Sequence, residues 1–142
     1  MPNDVRRVAT ELVLRVYYED TDSGGVVYYA NYLKYLERGR TEWLRSLGVE
    51  QQNLADRDGL VFAVRHLDID YHRPARLDDR VRVLTTPTEI GRASVVFEQS
   101  VSRDEDKLVG ARVRVACVDQ KKLKPAAIPD WLRTLMNRTE SP

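Results

Sequence analysis

Asp22 stands two residues ahead of the pair Gly24-Gly25, and that pair runs directly into Val26-Val27-Tyr28-Tyr29 and an aromatic-rich amphipathic stretch. A carboxylate in this place can attack an electrophile or accept a proton. A helix starting just afterwards offers unsatisfied backbone N–H groups and the positive end of its dipole, and both polarise an oxygen held there. The acidic run Glu19, Asp20, Asp22, interleaved with Thr21 and Ser23, also spells a plain Asx-type turn with a glycine hinge. Val26 to Tyr29 are too apolar for a free loop. They predict a buried connection whose backbone groups need partners, a substrate carbonyl oxygen among them.

Other chemistry is thinly supported. The two histidines, His66 and His72, fall in one strand pattern, and no G-x-S-x-G elbow occurs, so neither a Ser-His-Asp nor a Cys-His arrangement is built. No third ligand recurs at a useful spacing from them, and no metal site is expected. Cys117, the single cysteine, sits inside an apolar alternation and reads as a small core residue. One cysteine permits no internal disulfide and fits a reducing, cytoplasmic address. The formal net charge of +1 gives no reason to expect nucleic acid. Met1 to Thr10 has no apolar core, and no run of about 18 apolar residues occurs, so neither a signal peptide nor a membrane span is expected.

The elements that must carry Asp22 follow from periodicity. At 142 residues, 42% of them hydrophobic, the chain can bury one core, so a single domain over residues 1–142 is expected, with an ordered core from about 11 to 137. Residues 11–18 alternate, with Leu12, Leu14, Val16 and Tyr18 on one face, and predict a strand. From about Tyr29 to Leu47 the period becomes helical: Tyr32, Leu36, Gly39, Trp43 and Leu47 form a stripe widened by Leu33 and Leu44, and Gly48 supplies the stop. Gly39 costs roughly 1 kcal/mol against Ala in a helix, so its place on the stripe predicts close packing, most simply against a sheet. A polar connector follows. Strands are then predicted at 60–72, with Val61, Ala63, Leu67, Ile69 and Tyr71 on one face, and at 81–88, 93–103 and 108–119. A terminal helix is predicted from Pro129 to about Asn137, with Trp131, Leu132 and Leu135 as its apolar side. One helix and about five strands at hairpin spacing imply an α+β fold, an antiparallel sheet wrapped around the helix. Phe62, Val64 and Val96 fall on the opposite sheet face, which would make that face half-apolar and suited to a second copy of the chain.

The text YYEDTDSGGVVYYANYLKYLERGRTEWL, with YHRPARLDD at Tyr71 to Asp79 and CVDQKKLKP at Cys117 to Pro125, closely resembles the acyl-CoA thioesterases associated with the Tol-Pal system, within the wider 4-hydroxybenzoyl-CoA thioesterase group. The likeness runs from about Val13 to Pro129 and implies the hot-dog fold. It also implies that Asp22, the Asp of D-x-x-G, is the catalytic carboxylate, and that a backbone N–H from the segment Val27 to Tyr29 meets the thioester oxygen. Tyr18 matches a further active-site position. The motif D-x-x-G-x-V-x-Y and its following N-Y supply Gly25, Val27, Tyr28, Asn31 and Tyr32 as substrate-binding candidates and Tyr29 as a third catalytic candidate. At Tyr29 the chain departs from many Tol-Pal-associated members: V-Y-Y-A stands where they read V-Y-H-A, as in the 4-hydroxybenzoyl-CoA branch.

The resemblance implies hydrolysis of an acyl-CoA thioester without metal or cofactor, in a homodimer or homotetramer whose sites are completed by the neighbouring chain; acyl carrier protein is an alternative carrier. A thioester has a good leaving group, so an activated water or a carboxylate nucleophile plus one strong polariser suffices. Asp22 could form a mixed anhydride or serve as general base. Arg73, Arg76, Arg92, Lys121, Lys122 and Lys124 could meet coenzyme A phosphates or form a solvated face. The contrasting reading is a binding module that holds an acyl ligand, or acyl carrier protein, without turnover. A buried, unpaired Asp22 would favour the enzyme, because a pure binder gains nothing from that desolvation cost.

Overall fold

The computed structural model describes residues 7–138, so the expected domain over residues 1–142 extends at both ends outside the described residues. Strand β1 (Thr10–Arg15) leads through a short 3-10 turn (Tyr18–Asp20) and a loop into helix α1 (Asn31–Ser46). Helix α2 (Gln51–Asp58), strands β2 (Leu60–Tyr71), β3 (Arg80–Ile90), β4 (Ser94–Arg103) and β5 (Asp106–Asp119), the short β6 (Lys124–Pro125) and helix α3 (Asp130–Met136) follow. The sheet is antiparallel in the order β1-β3-β4-β5-β2, with β6 paired to the end of β5. Its curled inner face packs on α1, the hot-dog arrangement. Among the described residues no helix is long and apolar enough to cross a membrane.

Helix α1 forms where the period of four and three places Tyr32, Tyr35, Leu36, Gly39 and Trp43 on one side, and all five are buried. Leu33, expected to widen that stripe, instead points outward at 40% exposure. The close packing predicted at Gly39 is present: a Cβ there would meet Thr85 Oγ1 at 2.6 Å and Val83 Cγ1 at 2.8 Å. Around this seat lie two apolar clusters. One gathers Trp43, Leu44, Phe97, Val113, Cys117, Leu132 and Met136; the other gathers Val16, Val27, Tyr32, Leu36, Val83, Val101 and Val109. Gln99 lies between them on β4, donating from Nε2 to Leu36 O (2.9 Å) and Thr85 Oγ1 (2.8 Å) and accepting from Arg40 Nη1 (3.0 Å). Its buried amide is thus fully paired, as a polar group in a dry interior must be.

Four details differ from the sequence expectation. The polar connector contains α2, whose single buried residue is Leu54 and which ends on Gly59 in the left-handed region (φ 67°). With so little apolar periodicity there was no stripe to read. In β2 the pairing register shifts between Val64 and His66, a bulge that reverses which residues face inward. Phe62 therefore packs on the same core as Leu67, and it is not on the outer face with Val96. Strand β1 ends at Arg15, so Tyr18 is not an inward strand residue but opens the 3-10 turn. In α3 the buried pair is Leu132 and Met136, while Trp131 faces outward beneath the Arg57 guanidinium, 4.8 Å from its ring centroid.

Candidate active site

The loop from Asp22 to Ala30 is built by its own backbone. Asp22 N–H donates to Val26 O (2.8 Å) and Gly25 N–H to Asp22 O (3.1 Å), with Gly25 at φ 81°, a conformation that favours glycine. Asp22 Oδ1 accepts from Gly24 N–H at 2.8 Å, the Asx turn that the sequence allowed. The loop is moored at Val27, buried at 4% exposure, whose N–H donates to Ala75 O at 2.8 Å. Ala75 in turn donates to the Tyr32 hydroxyl (2.9 Å). The segment supplying Ala75 is held by Asp79, which accepts from Arg103 Nη1 at 2.6 Å and from Arg76 N–H at 2.8 Å. Burial would raise the Asp79 carboxyl, but Arg103 and the Arg76 N–H outweigh it and hold the group below the usual carboxylate range.

Asp22 itself is exposed in the single chain, and so are Tyr28 and Tyr29, at 49% and 61%. This corrects the expected buried carboxylate: only Val27 of the apolar run goes inside, because the turn lies on the surface and satisfies Asp22 locally. Tyr18, at 82% exposure, projects away from the core on the turn before it.

At the helix start most donors are spoken for. Tyr28 N–H goes to Asp20 O (3.0 Å), Asn31 N–H to Tyr28 O (2.8 Å) and Tyr32 N–H to Tyr29 O (3.3 Å). Of the segment Val27 to Tyr29, only the Tyr29 N–H makes no hydrogen bond among the described residues, and it lies at the positive end of α1. Around it the rings of Tyr28 (4.8 Å from Tyr29, between centroids), Tyr71 (6.2 Å from Tyr29) and Tyr32 (5.7 Å from Tyr71) form an aromatic wall. Tyr71 Oη donates to Tyr29 O at 3.2 Å, tying the end of β2 to the helix start. Sequence reasoning assigned Tyr71 no part in the site; its position at the head of YHRPARLDD was the available signal.

The remaining candidates divide. Gly25, Val27 and Tyr28 line or shape the loop, whereas Asn31 commits its amide to Asp20 Oδ1 (2.7 Å) and Tyr32 commits its hydroxyl to Ala75. The missed residue is Asp20. Its other oxygen accepts from Tyr17 N–H (2.9 Å). Burial opposes its charge, but the hydrogen bonds from Tyr17 and Asn31, the nearby Tyr35 hydroxyl and the Arg38 charge together keep it below its ordinary value. Burial pushes the Cys117 thiol up, away from the thiolate a nucleophile needs. His66 is exposed beside Asp68. Farther along α1, a cavity of about 280 Å³ is lined by Arg40, Trp43, Leu44, Phe62, Val64 and Met136, among others; Asp22 is not part of it.

The arrangement offers a carboxylate, uncommitted N–H groups of Tyr29 and Ala30 at a helix start and an aromatic wall. Comparison with known proteins points the same way. The profile of the thioesterase superfamily matches residues 24–110. The acyl-CoA thioesterase YbgC of Haemophilus influenzae is 51% identical over 116 residues, spanning 82% of this chain and 85% of that protein. The acyl-CoA thioester hydrolase YbgC of Escherichia coli O6:H1 is 48% identical over 118 residues, spanning 82% and 87%. Among solved structures, a probable thioesterase from Bartonella henselae superposes with TM-score 0.82 at 38% identity, covering 86% of this chain and 100% of that one. The 4-hydroxybenzoyl-CoA thioesterase of Pseudomonas sp. strain CBS-3 shares the fold, with TM-score 0.83 at 21% identity over 89% of this chain and 98% of that one.

Proposed function

This chain belongs to the thioesterase superfamily, and from that premise we propose how it hydrolyses acyl-coenzyme A thioesters. The Tyr29 N–H and the dipole of α1 polarise the thioester oxygen, and the Asp22 carboxylate either attacks the carbonyl carbon or takes a proton from the attacking water. In the first course the thiolate of coenzyme A leaves as a mixed anhydride forms, and water then releases the acid. In the second, water adds under Asp22 and the thiolate leaves directly. The observation that carries the assignment is the uncommitted Tyr29 N–H at the helix start, seven residues from an exposed carboxylate in the same loop. Tyr28, Tyr29 and Tyr71 supply the wall against which the acyl group or the thiol arm rests.

The site is one-sided in a single chain. Tyr17, Tyr18, Tyr28, Tyr29 and Tyr71 are all exposed, and the 12-residue strand β2, whose end carries Tyr71 against Tyr29, is an edge of the sheet with no strand paired on its outer side among the described residues. An edge of that length needs a cover. A second copy pairing along β2 would cover it, extend the sheet and close the site, giving a homodimer or a homotetramer of such pairs. Acyl carrier protein is the alternative carrier, and a cytoplasmic location suits the free Cys117.

Thiol release from a panel of short, long and aromatic acyl-CoA esters tests the activity and ranks its substrates. No release from any member, with the protein folded, would overturn the hydrolytic reading. Light scattering at micromolar concentration tests the assembly: the expected species exceeds the 16.4 kDa of one chain, and a fully active monomer would contradict it.

A further inference from the structure

The turn before Asp22 contains a second carboxylate, at Asp20, that ties three parts of the site together. Its Oδ2 accepts from Tyr17 N–H at 2.9 Å, at the exit of β1, and its Oδ1 accepts from Asn31 Nδ2 at 2.7 Å, on the first turn of α1. Its backbone carbonyl accepts the Tyr28 N–H at 3.0 Å. Helix α1 lacks the usual means of fixing its own start: Ala30 stands at the N-cap, where no side chain bonds the free amides. The hold on the helix start therefore comes from outside, through Asn31 to Asp20. We propose that Asp20 is the positioning residue of the thioesterase site: it draws Asn31 and the Tyr28 N–H onto the turn, which leaves the adjacent Tyr29 N–H free and fixes its place at the start of the helix.

The inference rests on the reading of Tyr29 as the oxygen polariser. Three observations support it. Both carboxylate oxygens of Asp20 are used by donors on separate segments, so an amide in its place would set an NH₂ group against one of them. The residue is half-buried and its hydrogen bonds hold it in the charged form despite burial, so both acceptors are available at neutral pH. Beneath it the Tyr35 hydroxyl, with no exposed surface and outside hydrogen-bond geometry, adds a further favourable dipole to the charged form.

An exchange of the two partners tests this. Asp20→Asn and Asn31→Asp are each expected to lower kcat by about 10- to 100-fold, since misplacing a catalytic donor by 1 Å costs on the order of 100-fold. KM for the best acyl-CoA of the panel should move less than about threefold, because the polarising contact tightens mainly in the transition state. The double exchange, Asp20→Asn with Asn31→Asp, puts an acceptor toward Tyr17 and a donor toward the new carboxylate at position 31. It should restore kcat to within about fivefold of wild type, a coupling that independent sites do not show. Single variants within about twofold of wild type, or an exchange as slow as either of them, would overturn the role. Should a single variant fail to fold in a thermal melt, the exchange alone decides: wild-type-like kcat supports the link, and low kcat with a wild-type melting curve refutes it. Asp22→Asn in the same assay separates the two levels of the argument. If it is fully active, the carboxylate assignment fails while the exchange still reports on Asp20; if it is inactive beside a wild-type-like Asp20→Asn, only the positioning role is lost.

Discussion

The seat of α1 at Gly39 and the turn at Asp22 lie on the same helix and loop, yet they are built on opposite principles. At Gly39 the helix touches β3 and β4 with no room for a methyl group, and every polar atom of Gln99 is paired. At Asp22 the side chain bonds, among the described residues, only the Gly24 N–H of its own turn, and the neighbouring tyrosines stand half out in solvent. The contrast separates two tasks. The first region holds the second in place by dense packing, where each atom is costly to move; the second keeps an unspent carboxylate and an unspent N–H, which packing would have silenced.

If this division is right, substitutions in the two regions should fail in different ways. The largest effect belongs to Asp22→Asn. The amide can neither attack nor accept a proton at neutral pH, so kcat should fall by at least about a hundredfold, while the melting temperature stays near that of wild type because the Asx turn survives. A near-normal kcat would remove Asp22 from the chemistry. Gly39→Ala should do the reverse: overpacking against Thr85 and Val83 is expected to cost about 1–3 kcal/mol and to lower the melting temperature by several degrees, with kcat per folded molecule near wild type. An unshifted melting curve would mean that the seat is looser than its geometry.

Smaller effects sharpen the comparison. Tyr29→Phe keeps the peptide N–H and loses one neutral hydroxyl, worth about 0.5–1.5 kcal/mol, so kcat/KM should fall by no more than roughly tenfold. Tyr29→His should reorder preference among short, long and aromatic acyl groups without abolishing hydrolysis. A collapse of Tyr29→Phe to the level of Asp22→Asn would make the phenol a participant and the backbone role wrong.

The smallest effect concerns the mooring of the loop. Asp79 is held below its ordinary value, near 3.8, by Arg103 and the Arg76 N–H against the opposing effect of burial. A carboxyl depressed in the folded state contributes stability that is full above the unfolded value and is lost as pH falls through the folded one. Asp79→Asn should thus lower stability at pH 7 and flatten the loss of stability below about pH 4, measured by denaturant unfolding across that range. An acid limb as steep as that of wild type would assign it to other carboxylates.

Much of this molecule was readable from its letters because the signals were local. Alternation revealed β1, β3, β4 and β5, and the 3.6 period revealed α1. The oddity of a glycine on an apolar stripe foretold the seat against the sheet. Where the signal was weak or shared, the reading slipped. Helix α2 is polar and offered no stripe. The bulge between Val64 and His66 shifts the alternation of β2 by one residue, and nothing in LVFAVRHLDID marks the shift. Tyr18 continued the alternation of β1 past the point where the strand stops.

The sequence by itself determined which residues carry reactive groups and which elements bear them, since motif spacing and periodicity are properties of neighbours along the chain. It already pointed to Asp22, to the glycine turn and to a helix start behind them. Only the tertiary structure decided how those groups are spent. Asp20, Asp22 and Asn31 are equally polar letters, and nothing in their order tells which will be consumed. The fold brings Tyr17, Asn31 and Tyr28 onto Asp20, brings Ala75 onto Val27, leaves the Asp22 carboxylate bonded only within its own turn among the described residues, and leaves the Tyr29 N–H uncommitted. Hydrogen-bond partners from distant segments are fixed by packing, and reactivity resides in the groups that packing leaves unpaired.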